Sequence, residues 1–142
     1  MGTIKAICIS EKKGTPKKDV GQAELTEGIG IKNDAHAGSG HRQVSLLSLQ
    51  KFEAFRSLGA DIEYGAFGEN IIADGIDFSS LPVGTKLRCK EMLLEITQIG
   101  KECHDRCEIY KRMGDCIMPR EGVFAKVLKG GIIKNGDEIN AE

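Results

Sequence analysis

Eighteen glycines, all standing singly except the Gly130-Gly131 pair, cut this sequence into short apolar runs. The usual glycine share is about 7%, and glycines spaced in this way mark turns between strands. The runs themselves carry strand signatures. Thr3 to Ser10 alternates, with Ile4, Ala6, Cys8 and Ser10 on one face and Ile7 and Ile9 on the other, which predicts a buried strand. Val20 to Leu25, Val44 to Leu47, Ile71 to Ala73 and Lys86 to Cys89 read as further strands, and Met92 to Ile99 is the clearest of all. Between the first two, Glu11 to Lys18 holds Gly14, Pro16 and several lysines, the make-up of an exposed turn or hairpin loop. At the far end Val123, Ala125 and Val127 alternate, Lys129-Gly130-Gly131 turns the chain, and Ile132-Ile133 with Asn135-Gly136-Asp137 predicts a hairpin and a final edge strand.

Helical spacing occurs twice. Leu46, Leu47, Leu49, Phe52, Phe55 and Leu58 recur at helical spacing and predict a helix over Ser48 to Leu58, stopped by Gly59, and His104 to Met113 has helical potential. Many short strands with few helices predict a mostly β fold, a compact β-barrel with two or three short helices. A chain of 142 residues without a linker or repeat reads as one domain over residues 1–142.

A net charge of −1 argues against nucleic-acid binding by phosphate neutralisation. No apolar run approaches the roughly 18 residues of a membrane span, and the N-terminus lacks a signal-peptide layout, so a cytoplasmic location is expected. Five cysteines are an odd number, which in a reducing compartment favours thiol or metal chemistry over a disulfide framework. Cys8 and Cys89 lie inside apolar strands and read as small core residues. Cys103 sits among Lys, Glu, His, Asp and Arg in the Gly100 to Cys107 segment directly after the clearest strand, and Cys116 follows it. If Cys103 opens a helix, free backbone N–H groups and the neighbouring Lys101, His104 and Arg106 would favour its thiolate, the form that attacks sulfur, holds a persulfide or binds a soft metal.

Other readings stay open. Cys103, His104, Cys107 and Cys116 are four N/S groups within fourteen residues, of the type that holds zinc, although adjacent ligands at 103 and 104 suit a tetrahedral site badly. Asp34, His36 and His41 in the loop from Gly28 to Arg42 are metal-ligand types; alternatively glycine amides with His41 and Arg42 form an anion-binding nest. Glu69 and Asn70 cap the following strand or bind something at its edge. Arg106, Arg112 and Arg120 would suit a phosphate, whose oxygens a guanidinium matches bidentately.

Taken in order, these pieces resemble the MOSC domain family, the module named after the C-terminal part of molybdenum cofactor sulfurases. The resemblance runs through Gly28-x-Gly30-x-x-x-Asp34-x-His36-x-Gly38, His41-Arg42-Gln43-Val44-Ser45 and Gly65-x-Phe67-Gly68-Glu69-Asn70-Ile71. It continues through Gly75-Ile76-Asp77, Leu81-Pro82-Val83-Gly84, Ile99-Gly100-Lys101-Glu102-Cys103-His104 and Arg120-Glu121-Gly122 to Asn135-Gly136-Asp137.

The resemblance implies a barrel-like fold that binds the molybdenum cofactor (molybdopterin), and a cysteine that carries sulfur as a persulfide or ligates molybdenum. Cys103 occupies the matching place; Cys107, with three residues between the two, is the second candidate, with His104 and Arg106 beside the thiolate. His36, His41 and Arg42 fall on the family's polar loop, and with Asp34, Glu69, Asn70 and Arg120 they are the candidate cofactor contacts. The implied partners are a pterin-type cofactor, a separate cysteine desulfurase as sulfur donor, and a molybdoenzyme or cofactor-biosynthesis protein as acceptor. A pyridoxal-phosphate domain of the kind that precedes this module in cofactor sulfurases is absent, so that cofactor is not expected. Related readings are a molybdenum-dependent reductase of N-hydroxylated compounds and a non-catalytic cofactor-storage protein.

Overall fold

The computed structural model describes residues 2–10, 17–34, 37–38, 43–59, 62–100 and 122–142. Within them the chain runs β1 (Gly2–Ile9), β2 (Lys18–Asp19), β3 (Gln22–Thr26), β4 (Gly30–Ile31), β5 (Val44–Ser48), α1 (Leu49–Arg56) and β6 (Ile71–Asp74). A 3-10 turn at Phe78–Ser80 leads to β7 (Lys86–Cys89), β8 (Met92–Ile99), β9 (Val123–Lys129), β10 (Gly131–Lys134) and β11 (Glu138–Ala141). The main sheet has the order β11-β7-β8-β9-β5-β6-β1-β2, and pairing of β11 with β1 closes its first seven strands into a barrel. A separate three-stranded sheet has the order β10-β3-β4. The expected mostly β barrel is present, and α1 occupies most of the predicted Ser48–Leu58 helix. The second predicted helix, His104 to Met113, lies outside the described residues. No helix among the described residues is long and apolar enough to cross a membrane.

Two apolar clusters share the barrel wall. Ile4, Ile7, Leu46, Ile71, Leu94, Ile96 and Val123 belong to the interior, while Ala6, Cys8, Leu47, Phe52, Phe55, Phe67, Ile72 and Phe124 form a second cluster under α1. All five residues of β5 are buried, because the parallel β5–β6 pair needs a crossover that lays α1 over its outer face. Phe52 and Phe55 sit three apart on one helical face and take Phe67 edge-on, with centroids 5.8 and 5.3 Å away.

The structure corrects three expectations. The alternation of β1 is broken: its register with β6 shifts between Ile4 and Ala6. This bulge places Ile4 and Ile7 in the interior cluster and Ala6 and Cys8 in the outer one, since one inserted residue reverses the facing of everything after it. Strand β10 does not hairpin with β9; it pairs with β3. The Lys129-Gly130-Gly131 corner instead carries the chain between sheets, and a Cβ on Gly130 would meet the Leu25 carbonyl oxygen at 2.5 Å. Strand β11 is no edge either, since it pairs with both β1 and β7.

Gly65 marks the tightest backbone approach. Its φ is +95°, and a Cβ built there would lie 2.0 Å from the Lys17 carbonyl oxygen. Gly65→Ala combines left-handed strain with that overlap and is expected to lower unfolding free energy by at least about 2 kcal/mol, read from denaturant unfolding midpoints.

Candidate functional site

A polar cluster lies where β1 ends and β6 begins, and backbone pairing builds it. Asn70, the residue before β6, accepts the Ser45 N–H on Oδ1 at 2.9 Å and donates from Nδ2 to the Cys8 carbonyl, also at 2.9 Å. Its own N–H donates to Ser45 O, and its carbonyl accepts from Cys8 N. Asn70 thus bolts β1 to β5 across the start of β6 and uses its side chain on backbone groups.

One residue past β1, the Ser10 N–H donates to Asp34 Oδ1 at 3.1 Å, and Lys17 Nζ donates to the same oxygen at 2.6 Å. Both side chains of this ion pair are fully buried. Removing two charges from water costs several kcal/mol each unless they meet with good geometry and further hydrogen bonds, and the Ser10 amide supplies one of those. This corrects the reading of Glu11 to Lys18 as wholly exposed: Lys17 ends that loop in the interior. Lys17 N also donates to Gly65 O at 3.0 Å, so the β1–β2 arm and the turn before β6 are stitched together there. Local composition gives no sign of this role, because lysine in a Gly- and Pro-bearing loop is ordinarily solvated; the only sequence signal is an acid in the Gly28–Gly38 motif that would need a cation if buried.

Glu69 completes the cluster. It is fully buried, its Oε1 accepts the Phe67 N–H at 2.9 Å, and its Oε2 finds no partner among the described residues. Burial pushes its carboxyl up from 4.5 to about 7, against the opposing pull of the Glu69, Gly65 and Phe67 backbone amides and the Lys17 charge. Cys8 lies nearby; burial first, then the Glu69 and Asp19 charges, push its thiol far up.

Of the sequence-predicted residues, the structure thus gathers Asp34, Glu69 and Asn70 at one end of the barrel. His36, His41, Arg42, Cys103, His104, Arg106, Cys107 and Arg120 lie outside the described residues. The ends of their segments are nevertheless fixed. Gly100 N donates to Gly122 O at 2.6 Å, so the cysteine segment leaves and rejoins the barrel at one point. Phe124, two residues further on, packs in the same cluster as Phe67 and Cys8. Gln43, which follows the polar loop, donates to Gly28 O at 3.0 Å and accepts the Val127 N–H at 2.9 Å. Gly28 N and Gly38 N donate to the carbonyls of Val127 and Ile29, which commits these two amides of the suggested nest to the protein's own backbone. Among the described residues no group of three or more His, Cys, Asp or Glu side chains is placed to hold a metal.

Two outcomes are expected here. Lys17→Met leaves Asp34 a buried, uncompensated charge and should lower unfolding free energy by about 3–5 kcal/mol, measured by urea unfolding. Glu69 has a raised folded-state pKa, so the stability it confers is complete below pH 4.5 and is lost as pH rises through about 7. Glu69→Gln should remove that component, and the pH dependence of unfolding free energy in the two proteins should differ by about 3 kcal/mol across the window.

Comparison with known proteins bears on the whole chain. The family model described as MOSC domain matches residues 33–140. The fold is similar to that of the YuaD protein from Bacillus subtilis, with a TM-score of 0.81 and 20% identity over 98% of this chain and 94% of that one. It is also similar to YiiM from Geobacillus stearothermophilus (TM-score 0.72, 16% identity, 100% and 75% covered) and YiiM from Escherichia coli (TM-score 0.65, 18% identity, 99% and 69% covered). No curated protein matches the sequence.

Proposed function

This chain belongs to the MOSC domain family, and on that premise we propose that it binds the molybdenum cofactor or its pterin precursor and carries sulfur as a persulfide on Cys103. The observation that supports this reading is the sorting of the cysteines. Cys8 and Cys89 are free thiols sealed in the core. Burial, with Asp137 adding to it, pushes the Cys89 thiol up to about 11, and the Cys8 thiol is raised further. A thiolate is the attacking form, so neither can serve as carrier at neutral pH. The role falls to the segment tethered at Gly100 and Gly122, where Cys103 is the candidate, Cys107 its alternative, and His104 and Arg106 the groups that would hold the thiolate.

The donor set suits such a cofactor. Asn70 and Asp34 use their side chains to brace the strands and Glu69 keeps one oxygen unpaired among the described residues, while a soft protein ligand for molybdenum would be a thiolate, which Cys103 would supply. The cofactor, when bound, brings a thiophilic, redox-active metal. His36, His41 and Arg42 would contact the pterin, with Arg42 and Arg120 on its phosphate. The Lys17–Asp34 pair would anchor the base of the polar loop through Asp34. Loading would begin as the Cys103 thiolate attacks the outer sulfur of a cysteine desulfurase persulfide. The new S–S bond forms as the donor's breaks, and the donor cysteine leaves as thiolate, so no net oxidation occurs. A molybdoenzyme or a cofactor-biosynthesis protein would accept the sulfur, in the cytoplasm.

Mass spectrometry tests the assignment after incubation with a cysteine desulfurase and cysteine. The protein should gain one sulfur atom, as should Cys8→Ala and Cys89→Ala, while Cys103→Ala should not. An adduct retained in Cys103→Ala and lost in Cys107→Ala would move the role to Cys107.

A further inference from the structure

Three ionisable groups are buried together at this end of the barrel with only one positive charge among them. Asp34 and Lys17 have fully buried side chains, and Glu69 is equally buried with one oxygen unpaired among the described residues. An ionised carboxylate in that setting wants donors on both oxygens, whereas a neutral acid tolerates a single accepted hydrogen bond. With Glu69 protonated the three groups sum to zero. With Glu69 ionised they sum to −1, and two carboxylates face one ammonium.

We propose that Glu69 holds a proton on Oε2 and that its loss to solvent pulls Lys17 away from Asp34 toward Glu69, making this cluster a proton-operated latch between β1 and the turn before β6. The surroundings favour Lys17 as the group that answers. From β1 the facing titratable group is Cys8, coupled to Glu69 by charge but locked as a neutral thiol. From β2, Asp19 is held by the Ile7 and Gly21 amides at 3.2 and 3.0 Å. From α1, Arg56 lies over the Phe52 and Tyr64 rings and donates to Ile62 O at 3.0 Å. Lys17 interacts electrostatically with Glu69, and its backbone is already hydrogen-bonded to Gly65. Because Lys17 and the Ser10 amide share one oxygen of Asp34, movement of the ammonium must register at Ser10, while ionisation itself registers at Phe67, whose N–H donates to Glu69.

The experiment is a pH titration of the whole protein followed by amide nitrogen–proton correlation spectra. The Phe67 and Ser10 amide signals should move together with one midpoint near pH 7, and both should stand still in Glu69→Gln. Asp34→Asn supplies a second arm that does not depend on Glu69→Gln folding. It leaves Lys17 with one carboxylate, so the Phe67 midpoint should fall by about one pH unit or more. A Ser10 signal that titrates unchanged in Glu69→Gln, a Phe67 signal that titrates without Ser10, or a midpoint in Asp34→Asn that stays or rises would each overturn the proposal.

Discussion

One buried ion pair organises one end of the barrel. Lys17 and Asp34 meet at 2.6 Å with neither side chain reaching solvent. Such a pair is poor as a source of raw stability, because desolvation consumes much of the attraction. Its effect here is geometric: Asp34 follows β4 and opens the polar loop, Lys17 precedes β2, and the Ser10 amide bonded to Asp34 closes β1. Lys17 also carries the backbone contact to Gly65. Three stretches distant in sequence therefore share one fixed point. Glu69 beside this pair has its carboxyl pushed up to about 7 by burial, against the opposing pull of the backbone amides and the same Lys17 charge.

Much of the barrel was readable from residue pattern, because strands such as β7 and β8 are short, β-rich and bounded by turn residues, and their burial follows local alternation. The failures arise where a remote partner overrides local order. The bulge after Ile4 depends on pairing with β6, and nothing in Gly2–Ile9 encodes it. The exchange of β10 onto β3 depends on backbone approaching Gly130 from Leu25. At the site, Glu69 and Asn70 stood out through the order of motifs, but their separate duties were not legible. Asn70 spends its amide on Ser45 and Cys8, whereas Glu69 keeps an oxygen in reserve. Lys17 was misread because the charge that explains it lies seventeen residues away.

The sulfur chemistry shows the same division between scaffold and site. Cys8 and Cys89 serve as small apolar side chains, one under α1 and one inside the barrel, and their raised thiols make them inert. The other three cysteines, Cys103, Cys107 and Cys116, fall in the sequence between β8 and β9. A sealed thiol and a reactive one need opposite dielectric surroundings, and the barrel gives Cys8 and Cys89 only the first.

The hydrogen bond from Gly100 to Gly122 has an evolutionary corollary. It joins the residue after β8 to the residue before β9, so the two strands are held together whatever the length of chain between them. The entropy of closing a flexible loop grows only logarithmically with its length, by about 0.6 kcal/mol per doubling. Strands joined in this way therefore let natural selection lengthen, shorten or rewrite the stretch between β8 and β9 at little cost to the barrel.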